Sequence, residues 1–94
     1  MGKYTTQKVA GYWLYYTTTC LNERIIHVHA NSPKPTRSGA AKIWVYEDGS
    51  TSVAEQGKVS DRDMKVIRDW IYSNIDLIEY EWKSNGQGGV FKQK

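Results

Sequence analysis

A chain of 94 residues makes one small domain with a thin core, much of which its seven tyrosines, four tryptophans and single phenylalanine must supply. Thirteen basic and ten acidic residues give a net charge of +3, and no basic run is longer than two residues, so charge alone makes only a weak case for nucleic acid. The lone Cys20 excludes an intramolecular disulfide, and no stretch is apolar enough for a signal peptide or a membrane span; the expected compartment is the cytoplasm.

Residues 1–10 are polar and are expected to be loose. Tyr12–Thr18 is dense in aromatic and β-branched types and predicts a strand. A turn follows, and Arg24–Ala30, with its Ile-Ile-His-Val-His run, predicts a second strand. Asn31–Gly39 holds both prolines and a glycine and predicts a loop. Ala40–Glu47 predicts a third strand. Asp48–Ser50 is the strongest hairpin signal, since Asp-Gly favours a type I′ turn, with Thr51–Glu55 returning as a short fourth strand.

After Gly57 the apolar period changes from two to about 3.6. Ser60 predicts an N-cap with Asp63 three residues on, and Met64, Ile67, Ile71, Ile75, Ile78 and Trp82 form one stripe that Val66 and Trp70 widen. Asn74 predicts a break that caps a second helix from Ile75; a single long helix is the alternative. Gly86, Gly88 and Gly89 end the pattern. The expected fold is α+β, an antiparallel sheet of about four strands packed on one or two C-terminal helices. It spans residues 11–84, between a loose N-terminus (1–10) and a flexible, Gly-rich basic tail (85–94).

Strand alternation sorts the side chains. Ile26, Val28 and Ala30, with Ala41, Ile43 and Val45, should face the helices. His27, His29, Lys42, Trp44 and Tyr46 should share the opposite face, with the two imidazoles roughly 6–7 Å apart. The first strand is aromatic on both sides, with Trp13 and Tyr15 opposing Tyr12, Leu14 and Tyr16. An aromatic face bearing histidines is a candidate binding surface, although cross-strand aromatic pairing also dresses ordinary sheets.

Three roles stand open for the histidines. As metal ligands they lack a third and fourth partner at a telling spacing, with Glu47, Asp48, Glu55 and Cys20 the available types. As an acid/base pair they suit phosphodiester cleavage, with Lys42 or Arg24 holding the phosphate and Tyr46 orienting it. As scaffold they hydrogen-bond neighbouring strands or the Pro33–Pro35 loop. No phosphate-binding glycine loop, zinc pattern or RNA-recognition signature is present.

The segments Ile26–Ala30, Ala40–Gly49 and Gly57–Trp82 resemble the family called domain of unknown function 4160, in which a His-x-His strand precedes an Ala-Lys-x-Trp strand, a glycine and a helical region closed by tryptophan. His27, Val28 and His29 match the first part, Ala41, Lys42 and Trp44 the second, and Gly57, Ile67, Asn74, Ile78 and Trp82 the third. The resemblance covers roughly residues 11–84. It departs at Arg24-Ile25-Ile26, where the family often has proline, and in the longer Asn31–Gly39 link. It implies a small bacterial cytoplasmic protein, and suggests one half of a toxin–antitoxin-like pair, with no established activity.

The functional expectation is a protein-binding or interaction module. Its open sheet face, with Trp44, Tyr46, Lys42 and Arg24 as binding candidates beside His27 and His29, meets a small partner protein or a second copy. The alternative is a nucleic-acid-directed protein, such as a metal-independent ribonuclease with His27 and His29 as its acid and base. No metal, cofactor or membrane is expected.

Overall fold

The computed structural model describes residues 2–17, 24–32, 39–85 and 89–93. Among these residues five strands, β1 (Gly2–Lys3), β2 (Trp13–Tyr16), β3 (His27–Asn31), β4 (Ala41–Val45) and β5 (Thr51–Glu55), precede two helices, α1 (Asp61–Ser73) and α2 (Ile75–Asn85). The strands lie side by side in chain order, each antiparallel to the next. This is the expected α+β fold with one strand more than expected. The additional strand is β1, inside the segment expected to be loose; two residues are too few to show alternation in a sequence.

The alternation has its expected consequence on the helix side. Leu14, Tyr16, Ile26, Val28, Ala30, Ala41, Ile43 and Val45 join Met64, Ile67, Ile71, Ile78 and Trp82 in one buried cluster. A fully buried isoleucine contributes about 2 kcal/mol, so this stripe, more than helix propensity, holds the helices to the sheet. Val66 is 47% exposed instead of widening the stripe. One residue is about 100° of helical turn, which carries it away from the sheet-facing line of Ile67. Among the described residues no helix is long and apolar enough to cross a membrane.

Ser60 caps α1 as expected, its Oγ accepting from the Asp63 amide at 3.1 Å. The chain does break at Asn74, yet the side chain serves the preceding helix rather than the following one. Its Nδ2 donates to the Trp70 carbonyl at 2.8 Å, and its backbone amide donates to the Ile71 carbonyl at 3.1 Å. Only the Asn74 carbonyl opens α2, accepting from the Ile78 amide.

The turns also differ from expectation. Glu47–Gly49 is a three-residue loop in which Gly49 donates to the Tyr46 carbonyl and Tyr46 to the Ser50 carbonyl, both at 2.9 Å. Gly49 is left-handed (φ +88°) and Asp48 is not, so the connection is a type I turn closed by a glycine bulge. Asp48 still contributes, because its Oδ1 accepts from the Ser50 amide. The type I′ geometry appears instead at Ala10-Gly11, both with positive φ (52° and 86°), between reciprocal hydrogen bonds of Val9 and Tyr12.

Within the Gly-rich C-terminal stretch, residues 89–93 are paired to the sheet. Val90 donates to the Arg24 carbonyl and accepts from Ile26, each at 2.9 Å, while Lys92 donates to the Val45 carbonyl at 3.0 Å. The segment runs parallel to both the approach to β3 and the exit of β4. Phe91 packs against the core, and Gly89 lies so close to Trp82 and Ile26 that a Cβ would meet their side chains at 2.8 and 2.9 Å.

Candidate functional site

The register places one row of side chains across all five strands on the face away from the helices. Lys3 opposes Tyr15, Tyr15 opposes His29, His29 opposes Lys42, and Lys42 opposes Glu55. A second row sets His27 beside Trp44 and Ser52, and Trp13 stands across from Asn31. Directly opposed residues point the same way, so this face gathers aromatic rings and lysines.

The two histidines are neighbours, with ring centroids 5.0 Å apart and an edge-on arrangement. Their environments differ. His27 is fully buried, its ring packed edge-on against Trp44 and against Trp82 of α2, both at 5.3 Å. His29 is half-buried and stacks on Tyr15 at 5.5 Å. Each imidazole uses Nδ1 toward a backbone carbonyl, His27 to Ile25 at 2.7 Å and His29 to Ala41 at 3.1 Å. Since a carbonyl only accepts, Nδ1 carries the proton in both rings. Among the described residues, no group of three or more His, Cys, Asp and Glu side chains comes together to hold a metal. Cys20 and the Pro33–Pro35 loop lie outside the described residues, and with them any hydrogen bonds from the imidazoles to that loop.

Strand alternation sets His27 beside Trp44 and gives no sign of its burial. One of the rings packed on it is distant in sequence: Trp82 reaches it from α2, around the end of the sheet where β3 begins. Tyr15 is also fully buried on this side. What remains accessible is the rim: half-buried Trp13, His29, Lys42, Trp44 and Tyr46, with exposed Lys3 and Lys8. Tyr46 hydrogen-bonds Ser52 between hydroxyls at 2.9 Å. Arg24 is exposed in a left-handed conformation (φ 62°), with its carbonyl taken by Val90. It belongs to the seam with the C-terminal segment.

The most telling geometry surrounds the two outer tryptophans. Lys3 Nζ lies 4.0 Å from the Trp13 ring centroid, with Lys8 Nζ at 5.6 Å. Lys42 and Lys92 Nζ lie 4.4 and 4.7 Å from the Trp44 ring. Each indole thus holds two ammonium groups by its negative π face. Only Lys42 of these four was a sequence candidate for binding. Lys3 required β1 to be known, and Lys92 required the C-terminal segment to return to the sheet.

Two tyrosines brace the sheet against the helices. Tyr12 donates its hydroxyl to Asp63 and Tyr16 donates to Glu81, both at 3.1 Å. Burial, and then the neighbouring carboxylate, raises both phenols, that of Tyr16 to about 12.

A family model described as a domain of unknown function, DUF4160, matches residues 11–83. No curated protein matches the chain. No solved structure matches it.

Proposed function

The chain belongs to the DUF4160 family, and from that premise we propose that it is a binding module whose helix-distal sheet face receives an anionic partner. The observation that carries this reading is the pairing of two half-buried indoles with four lysines, Lys3 and Lys8 at Trp13, Lys42 and Lys92 at Trp44. A face with clustered ammonium groups attracts negative charge over about a Debye length, and aromatic rings add contact area.

The same charge disfavours a second copy of the chain as the occupant, because a two-fold contact would set lysines against lysines. A catalytic pair of histidines is disfavoured too. General acid/base work requires both rings to come within hydrogen-bond reach of a substrate, and His27 is fully buried. The family resemblance supports a bacterial, cytoplasmic setting and a toxin–antitoxin-like pairing.

The test is a titration with generic polyanions (an oligonucleotide and polyglutamate) at low salt, comparing two double variants of equal charge change. Lys42→Gln with Lys92→Gln should weaken binding at least about tenfold. Lys65→Gln with Lys83→Gln, on the helices, should leave it within about twofold. Equal losses in both variants, or no polyanion binding at all, would remove the reading.

A further inference from the structure

Resting on that reading, we infer that the anionic partner is a single-stranded nucleic acid, with bases stacked on Trp13 and Trp44 and phosphates held by Lys3, Lys8, Lys42 and Lys92. The indoles stand on β2 and β4, at opposite ends of the Trp13–Asn31 and His27–Trp44 pairings. Strand spacing and rise separate them by about 16 Å along a diagonal. Between them lie His29 and the Tyr15 ring stacked on it. Tyr15 is fully buried and only supports His29 from the side, so the arrangement is two half-buried platforms with cations at each and the half-buried His29 between them.

That combination discriminates among polyanions. An acidic polypeptide would satisfy the lysines and leave the indole faces without a matching flat surface. A duplex keeps its bases stacked inside and presents mainly phosphate. A single strand offers both π faces and phosphates at short intervals, and every base has a π face, so recognition is tolerant of sequence. The ammonium groups now over the rings are no obstacle. Stacking of a base on an indole outweighs an exposed ammonium–π contact, so an arriving base takes the ring and releases the lysine toward the adjacent phosphate. Charge also marks the limits of the path. Glu55 ends the cross-strand row at β5, and Glu47 and Asp48 line the hollow beyond Lys92.

The experiment measures anisotropy of an end-labelled RNA of about 12 nucleotides, of mixed sequence, against the same sequence as a duplex and a polyglutamate of similar charge. The single strand is expected to bind tightest. If all four lysines meet phosphates, its affinity should fall roughly 50-fold between 50 and 200 mM salt. Trp44→Ala and Trp13→Ala should each weaken it about tenfold, while Trp44→Phe, which keeps a stacking ring, should retain most of the affinity. Unfolding midpoints of the variants separate lost stacking from lost structure. Lys42→Gln and Lys92→Gln provide a test that leaves the rings in place, and each should reduce the salt slope by about 0.7. Equal binding of duplex and single strand, or equal effects of the Ala and Phe variants, overturns the inference. Lysine-dependent binding of polyglutamate without RNA also overturns it while leaving the broader reading intact. Binding to no polyanion overturns both.

Discussion

The Tyr4 hydroxyl accepts the Trp82 indole proton at 2.6 Å and donates to the His27 carbonyl at 3.1 Å. One phenol thus joins the N-terminal segment, the start of β3 and α2 inside the core. Its partners lie 23 and 78 residues away, so nothing local in the sequence announces it. Alternation sets Tyr16 on the side of Leu14 without saying which side is the core, and nothing in it points to the bond with Glu81. The raised Tyr16 phenol has a definite consequence for stability. The folded state holds the proton up to about pH 12, while an unfolded tyrosine releases it near 10. The contribution is therefore complete below pH 10 and is lost as pH rises toward 12. Denaturant titrations across this window should show the native chain losing on the order of 2 kcal/mol more than Tyr16→Phe. Parallel pH curves for the two proteins would contradict the assignment.

Among the elements, the β2–β5 ladder and both helices were readable because each carries a full period of pattern. Turn geometry was less so. Asp48-Gly49 has the composition of a type I′ turn, but the pairing of Tyr46 with Ser50 makes the loop one residue longer, and only Gly49 needs a left-handed backbone. The position that does adopt type I′ begins with Ala10, a residue that pays a steric cost at φ 52°. Ala10 is exposed, so Ala10→Asn should relieve this strain without disturbing packing. A gain of about 0.5–1 kcal/mol in unfolding free energy is expected. An unchanged or lowered value would show that the Val9–Tyr12 turn is not limiting. Gly57 illustrates the reverse case. Its φ is +60°, and a Cβ would stand 2.6 Å from the Ala41 amide nitrogen. The glycine lets the chain leave β5 close against the start of β4.

At the scale of the whole molecule, the sequence revealed which face would be aromatic but not what would close it. The Lys42–Trp44 pair follows from strand period alone. Lys3 and Lys92 reach the same face only because both ends of the described chain join the sheet, and the Gly-rich stretch preceding Lys92 resembles a loose tail in composition. Removing residues after Asn85 should lower stability by about 2 kcal/mol or more, through three backbone hydrogen bonds and the packing of Phe91. Lys92→Gln should leave stability within about 0.5 kcal/mol, since that lysine's backbone makes the pairing. Chemical denaturation distinguishes the two, and a truncated chain as stable as the full one would show the segment to be energetically idle. The parallel seam also has a kinetic meaning. Val90 finds Ile26 only after the intervening sheet and helices have brought the two together, and such distant contacts form late because loop-closure entropy must first be overcome. The seam is then the last part of the sheet to close and the first to open. Amide hydrogens of Ile26, Val90 and Lys92 would exchange with solvent through a partial opening that leaves the meander intact, and each opening would take Lys92 away from Trp44.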